Sequence, residues 1–415
     1  MRFARFKGLR YALFLGSYFF AQCVVWNFLV QLYMSFGFSD YQIGIVTMLT
    51  ALCTAVFQPL WGMLCDKLQR LRAPYILSMC IGMGASVLMY IGGGRFEITL
   101  PAAMLMGLSM PTMMSVIDGW FARLANEDRS ISYQSIRASG SLAAALGAVM
   151  AAPFFATYGM WTLTPIFIVL AILSIGLSFI VPEPQKMEKK VDEKKAGKKT
   201  AGLFKELLTF RFIMLMLASF LIYTGSAGVR TFLPVKAAEL GAGSTQYAWI
   251  VFVMGLSEIP VLLFYRKLLK GRFSPFGMLL AAYLLAIFKE LGTAFSPNLI
   301  VLGGVMVISS MSVGLSIAAL VDYILDCVGP RVLVSAKSVL SGVTMGVSTT
   351  IGNFISGVLS DRFGVTSMLM MTACITAAGC AVLFAGQMYY KRVLLPRNEA
   401  KAALKCCVKT EKQLT

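Results

Sequence analysis

The chain is 415 residues long and contains no histidine. Histidine is the side chain most used for proton transfer near neutral pH and is a frequent metal ligand. Proton transfer and metal binding in this chain would therefore need other residues. The nine cysteines are scattered, and no two of them form a CxxC pair. We therefore expect neither a metal site nor a cofactor.

Charge is also scarce, because only 13% of the residues are charged whereas 58% are hydrophobic. A soluble domain is roughly 45–50% apolar and about a quarter charged. The composition therefore predicts an integral protein of the lipid bilayer with no large soluble domain. The sequence has no phosphate-binding loop, HExxH motif or nucleophile elbow. We expect that it is not an enzyme, and without an extramembrane domain a receptor is a weaker alternative.

Apolar segments long enough to cross ~30 Å of hydrocarbon recur twelve times along the chain. This pattern predicts an all-α polytopic membrane protein with twelve transmembrane helices in two pseudo-symmetric six-helix bundles. The predicted spans are 11–34, 42–64, 73–91, 100–124, 137–158, 162–181, 212–233, 248–264, 274–295, 299–325, 334–359 and 365–389.

The net charge of +18 could suggest a nucleic-acid partner, but the positions of the basic residues indicate membrane topology instead. When the loops are assigned alternately to the two sides, one side holds only Arg95, Lys236 and Arg362. Four more basic residues fall within spans or at their ends, namely Arg137, Arg230, Lys289 and Lys337. The positive-inside rule then places both termini in the cytoplasm.

The predicted organisation has four parts. An N-terminal bundle covers 1–181, a basic cytoplasmic linker 182–207, a C-terminal bundle 208–390 and a basic cytoplasmic tail 391–415. The two bundles suggest an internal duplication, and we expect a monomer in the cell membrane.

A six-residue pattern, G-x-L-x-D-[K/R], ends both the second and the eleventh span, on opposite faces of the membrane. This is the arrangement that an inverted repeat produces. The glycine permits close approach of another helix, and the carboxylate can accept hydrogen bonds from the amides of a helix N-terminus. We interpret the two copies as gating latches, with an ordinary helix end as the alternative. The residues are Gly62, Asp66, Lys67, Gly357, Asp361 and Arg362.

The segment 57–68, F-Q-P-L-W-G-M-L-C-D-K-L, resembles the loop after the second helix in the major facilitator superfamily. It is most similar to the oligosaccharide–proton symporter (lactose permease-like) branch, except that Gln69 replaces a glycine. The segment 133–141, Y-Q-S-I-R-A-S-G-S, is similar to that branch's Y-G-x-x-R-x-x-G-S pattern. The resemblance implies two bundles around a midplane cavity that opens alternately to each side.

Seven ionisable residues lie within the predicted spans, where a charge costs several kcal/mol unless it has a function or a partner. The resemblance implies that Asp118 and Arg137 bind the hydroxyl groups of a sugar. A structural salt bridge is the alternative. It also implies that Glu258 links the solute to the proton. The residues are Asp118, Arg137, Glu258, Lys289, Glu290, Asp322 and Lys337.

The resemblance implies that Lys289 lies beside the acid that carries the proton in this branch. Glu290 is a further candidate for proton coupling. Because consecutive helical residues point about 100° apart, we expect Glu290 to face a different direction from Lys289. The histidine and glutamate that the branch carries in its tenth span are absent, and Ser309 and Ser312 stand at that distance.

The remaining candidates are aromatic and polar. A stacking platform and hydrogen bonds for a polar ring could come from Trp120 beside Asp118 and from Trp26, Asn27 and Gln31 on the first span, or these residues could simply pack. A mutual ion pair is the simplest expectation for Asp322 and Lys337.

Together these features predict a secondary active transporter. It would take up a small polar solute, a sugar or oligosaccharide, by proton symport through alternating access. The alternative is a major facilitator uniporter or exporter of another solute, such as a nucleoside, an aromatic acid or a drug, without proton symport.

Overall fold

A computed structural model describes residues 2–68, 70–127, 133–183, 209–264, 272–329 and 332–396. These residues are almost entirely helical, as predicted. The predicted linker and tail lie mostly outside the described residues. The helices of the first half are α1 Arg2–Ser35, α2 Asp40–Leu68, α3 Arg72–Gly92, α4 Phe96–Glu127, α5 Tyr133–Tyr158 and α6 Leu163–Ser178.

The second half begins with α7 Phe210–Glu239, α8 Ser244–Phe264, α9 Pro275–Ala294 and α10 Leu299–Val328. The last helical run consists of Leu333–Ser341, a π-helix Gly342–Ser348, Thr349–Tyr389 and a π-helix Tyr390–Leu394. Gly364 interrupts it with φ +79° and ψ 161°, a conformation that glycine tolerates best. We number the part before Gly364 α11 and the part after it α12. The described residues thus contain the twelve predicted helices.

Nine helical stretches of the described residues are long and apolar enough to cross a membrane. One of them, Ser335–Leu394, is 60 residues long and comprises α11 and α12. A single crossing needs about 20 residues, so this stretch accounts for two. Because hydrocarbon offers no hydrogen-bond partners, the backbone of each crossing has to satisfy itself, and a helix does so within one segment.

The two halves repeat one packing scheme. In the first half, Ser174 of α6 hydrogen-bonds to Ser17 of α1 at 2.9 Å and to Tyr75 of α3 at 2.6 Å. In the second half, a carboxylate oxygen of Glu290 in α9 accepts hydrogen bonds from Ser226 of α7 and Thr376 of α12. The polar junction therefore joins the first, third and sixth helix of each bundle. This agreement supports the predicted pseudo-symmetry.

Glycines let the helices of each half approach closely. A Cβ on Gly107 of α4 would overlap the backbone carbonyl of Thr50 in α2, and a Cβ on Gly352 of α11 would overlap that of Thr224 in α7. Within membranes, where no hydrophobic force drives helices together, such close van der Waals contact holds them.

The two halves meet at what we call the outer face, which carries the loops after α1, α3, α5, α7, α9 and α11. The inner face is the one at which α1 begins and α12 ends. Near the outer face, a Cβ on Gly44 of α2 would lie 2.6 Å from the Cα of Gly357 in α11. Asp361 Oδ1 accepts a hydrogen bond of 3.3 Å from the backbone N–H of Tyr41, and the Ser360 hydroxyl donates to the Asp40 carboxylate. We call these α2–α11 contacts the outer latch.

Towards the inner face, the same two helices separate. A Cβ on Gly346 of α11 would lie 3.0 Å from the Cβ of Ala55 in α2. Beyond this point a cleft of about 1180 Å³ opens, lined by residues of α2, such as Gln58 and Pro59, and of α11, such as Lys337. Apart from its own helix, nothing described lies within 4 Å of a Cβ placed on Gly62. The α2–α11 pair is therefore closed near the outer face and open towards the inner face.

The packing of α2 on α4 predicts a stability difference between two glycines. Gly107→Ala should lower the melting temperature, because the new methyl group has to push the Thr50 carbonyl away; the cost should be about 1–3 kcal/mol. Gly303→Ala in α10 meets no described atom of another helix within 4 Å and should be neutral or stabilising. Thermal unfolding of the purified variants measures both. Equal melting temperatures would show that the close contact is not needed.

The outer latch predicts a conformational effect. Gly357→Ala places a methyl group against Gly44 and should hold the outer ends of α2 and α11 apart. Spin labels at positions 36 and 363 in a cysteine-free background should then report a longer distance than in the parent protein. Gly62→Ala, the same change in the inner copy of the motif, is the control and should leave that distance unchanged. If both variants give the parent distance, the outer latch does not limit closure.

Candidate functional site

Asp118 and Arg137 lie in the inner part of the first half. Asp118 is half-buried on α4, nine residues before the end of that helix at Glu127, or about 13 Å along the axis. Arg137 lies in the second turn of α5, and its side chain is outside the described residues. Their predicted joint binding of hydroxyl groups therefore stays a prediction.

Trp120 is placed differently from the expectation. Its side chain is 0% exposed, its ring packs on Phe14 with centroids 5.6 Å apart, and its Nε1 donates to the carbonyl of Pro182 at 2.9 Å. An indole enclosed on all sides and already hydrogen-bonded has no face left for a solute. The stacking platform predicted for Trp120 is thus wrong in this conformation, and the packing alternative describes it.

Asn27 lies on α1, where its Nδ2 donates to the carbonyl of Cys23 at 2.9 Å. Two neighbours on the same helix have no such partner. Trp26 Nε1 and Gln31 Oε1 are shielded atoms without a hydrogen bond to any described residue. A buried donor or acceptor left unpaired costs roughly 1–3 kcal/mol, so α1 presents one donor and one acceptor that a polar solute or water can satisfy.

Glu290 is the most enclosed acid among the described residues, with 0% exposure. Its Oε1 accepts hydrogen bonds from Ser226 at 2.7 Å and from Thr376 at 2.9 Å. Its Oε2 is buried and has no hydrogen-bond partner in the described part of the chain. The two hydroxyl groups fix the carboxyl group and leave Oε2 as the atom at which a proton can be held.

Lys289 is 8% exposed and lies within electrostatic range of both Glu290 and Arg230. Both side chains are buried, and the expectation that Glu290 faces a different direction from Lys289 stays a prediction. A turn of about 100° is small enough for two long side chains to remain neighbours. Within the described ranges, no ion pair under 4 Å joins them.

The other residues considered for proton coupling show no arrangement that supports this role. The side chain of Glu258 in α8 lies outside the described residues, so its role stays a prediction. In α10, Ser309 and Ser312 are buried, and the Ser312 hydroxyl donates to the carbonyl of Ala282 at 2.6 Å. That bond ties α10 to α9, which is a structural role.

The gating residues behave differently at the two faces. Asp361 accepts a hydrogen bond from the first turn of α2, which is the contact that the motif predicted, and Arg362 is exposed. At the inner face Lys67 is exposed, and the side chain of Asp66 lies outside the described residues. The gating function itself stays a prediction for both copies.

The ion pair expected between Asp322 and Lys337 is not formed. Lys337 is exposed and lines the inner cleft, and no ion pair under 4 Å joins these two described side chains. The two residues lie on different helices, α10 and α11, and the sequence alone does not give the distance between residues on two helices.

Two residues of this region were missed in the sequence. The predicted span 212–233 puts Arg230 near its end, but α7 continues to Glu239 and places Arg230 nine residues inside the helix. Asn353 of α11 is buried; its Nδ2 donates to the carbonyl of Thr47 in α2, and its Oδ1 accepts from Thr231 of α7. Only the extent of α7 could have signalled Arg230, and no pattern signalled Asn353.

Comparisons with known proteins agree with this arrangement. The sequence profile of the Major Facilitator Superfamily matches residues 12–352. The maltose permease of Geobacillus stearothermophilus is 25% identical over 353 residues, covering 83% of this chain and 85% of that protein. The uncharacterized transporter YwbF of Bacillus subtilis (strain 168) is 23% identical over 346 residues, with 82% and 83% covered.

Solved structures show the same fold. The nucleoside transporter NupG superposes with a TM-score of 0.77 at 14% identity, covering 93% of this chain and 99% of that one. An inward-facing, unoccupied bacterial homolog of the human lysosomal transporter Spinster gives 0.69 at 14% identity, covering 94% and 98%. The profile match covers most of the sequence, and the structural matches cover nearly all of it. The chain therefore belongs to the major facilitator superfamily of membrane transporters.

Proposed function

We propose that this protein is a secondary active transporter that takes up a small polar solute, a sugar or oligosaccharide, together with protons. The observation that carries the proposal is Glu290, an acid enclosed in the second half with one oxygen held by hydroxyl groups and the other unpaired among the described residues. A carboxylate charge is costly inside a membrane protein, so a buried carboxyl group without an ion pair favours the protonated form. Such a group is a candidate proton carrier.

The coupling would use the three helices that meet at Glu290. In the inward-open conformation, Ser226 of α7 and Thr376 of α12 hold Oε1, and a proton would reside on Oε2. When the halves rock to open the outer face, a small shift of α7 against α9 would change these hydroxyl contacts. Lys289 lies within electrostatic range of Glu290, so its positive charge would stabilise the carboxylate once the proton has left. Solute and proton would thus favour the same conformational change.

The solute would bind between the halves. Trp26 and Gln31 of α1 supply a donor and an acceptor that no described residue pairs. Asp118 and Arg137 from the first half, and Glu258 from the second, are the further candidates that the family resemblance implies. The name of the maltose permease relative supports a sugar.

Proton coupling is tested with Glu290→Gln in proteoliposomes. The amide keeps the shape and the hydroxyl contacts but cannot carry a proton. With an inward pH gradient, the parent should accumulate its solute, whereas the variant should equilibrate it to a ratio of about one, because the coupling free energy is lost.

The matched control is Glu97→Gln, which neutralises an exposed acid in the first turn of α4. It should accumulate solute as the parent does. If Glu290→Gln still accumulates solute against its gradient, Glu290 does not couple protons. The alternative, a uniporter or exporter without proton symport, would then be favoured. That alternative agrees with the uncharged Ser309 and Ser312 of α10, which stand where the symporter branch carries a histidine and a glutamate.

The solute class is tested by the thermal stability of the purified protein, because a ligand at 100 times its Kd stabilises by about 2.7 kcal/mol. Mono- and oligosaccharides should raise the melting temperature, and nucleosides should not. Trp26→Phe keeps the ring and removes the Nε1 donor, so it should weaken sugar binding about 2- to 10-fold.

The control for this variant is Trp249→Phe, at a residue that is 52% exposed on α8; it should bind sugars as the parent does. Stabilisation by nucleosides alone would contradict the sugar assignment and leave transport intact.

A further inference from the structure

A stripe of polar side chains follows one face of α7. Its members are spaced at i, i+4, i+7 and i+11, so they lie above one another on the helix. The Ser219 hydroxyl lies 3.3 Å from the hydroxyl of Tyr283 in α9. The Ser226 hydroxyl donates to Glu290 of α9. The stripe therefore faces α9, and its members are Ser219, Tyr223, Ser226 and Arg230.

Arg230 is the outermost member of this stripe and the exposed one. It precedes the end of α7 by nine residues, or about 13 Å, and so lies well inside the helix. The opposite side of α7 is occupied, since a Cβ on Gly228 would lie 2.5 Å from Ser356 of α11. Arg230 therefore lies on the α9 side of α7, within the helix, and its side chain is exposed.

Among the described residues, the charges near Arg230 do not balance. Lys289, more than nine-tenths buried, lies within electrostatic range of Arg230, and its acidic neighbour is Glu290. Glu290 already gives Oε1 to two hydroxyl groups. In the described part of the chain Arg230 makes no ion pair, so two cations share one acid. An unpaired cation within a membrane protein is costly and marks the path or the binding site of an ion or solute.

We propose that Arg230, with Lys289 behind it, is an anion site, and that the transported solute carries a carboxylate or phosphate group besides its hydroxyls. A guanidinium offers two parallel N–H donors that match the oxygens of either group. Lys289 adds a second positive charge without needing direct contact. The inference rests on the proposed function in one respect, namely that the molecule recognised here is the transported solute.

The experiment compares matched ligands on the purified full-length protein. The probes are glucose, glucuronate, glucose 6-phosphate and inorganic phosphate, each measured by thermal stabilisation and by uptake into proteoliposomes. An acidic sugar should bind more tightly than glucose. Arg230→Gln should weaken the acidic sugar about 10- to 100-fold, the range for a hydrogen bond to a charged group, and leave glucose unchanged.

Two variants separate recognition from folding. Arg230→Lys keeps the charge but loses the bidentate geometry of arginine. Its affinity for the acidic sugar should therefore lie between those of Arg230→Gln and the parent protein. Arg95→Gln removes an exposed arginine in the loop after α3 and should leave every affinity unchanged. If Arg230→Gln fails to fold, Lys289→Met carries the same comparison by thermal stabilisation alone, because Lys289 also belongs to the proposed proton coupling. This variant should weaken binding of the acidic sugar more than binding of glucose.

The outcomes distinguish this inference from the proposed function. Equal binding of glucose and glucuronate by the parent, or unchanged discrimination in Arg230→Gln and Lys289→Met, would overturn the anion site and leave sugar transport standing. Binding of inorganic phosphate without any sugar, lost in Arg230→Gln, would support the anion site and overturn the sugar assignment. Failure of all four probes to bind would overturn both.

Discussion

The lack of water in the hydrocarbon of a membrane is the constraint on which the structure depends. Every backbone amide in the twelve crossings has to find its partner within its own helix, and every charge needs a partner or a wet cavity. The hydroxyl groups that hold Glu290 and the polar stripe on α7 meet that requirement. Polar groups in this protein therefore mark either junctions between helices or the transport path.

Packing without a hydrophobic driving force gives the glycines their importance. Close approach of α2 to α11 at Gly44 and Gly357 lets the halves seal at the outer face, and the same helices separate beyond Ala55 and Gly346. One helix pair thus forms both the seal and the cleft. The π-helix Gly342–Ser348 lies in the wall of that cleft, and such segments are frequent at functional sites.

The bundles share a scaffold but not their chemistry. Where the first half joins its first, third and sixth helices through Ser17, Tyr75 and Ser174, the second half uses an acid at the corresponding junction. A neutral junction holds helices together permanently, whereas an acidic one can change its charge. This asymmetry within a symmetric fold supports the assignment of coupling to the second half and of hydroxyl recognition chiefly to the first.

The sequence by itself determined the class, the twelve helices, the pseudo-symmetric bundles and the family, because hydropathy and the motif after α2 are local properties. It also identified Glu290 and Lys289 as costly residues. Only the tertiary structure decided what these side chains meet: it enclosed Trp120 in the first half, held the Glu290 carboxyl group with Ser226 and Thr376, and left Lys337 exposed in the inner cleft. It also extended α7 beyond Arg230. The physical reason is that hydrophobicity fixes which segments are buried in the membrane, whereas the rotation and depth of each helix follow from packing against its neighbours.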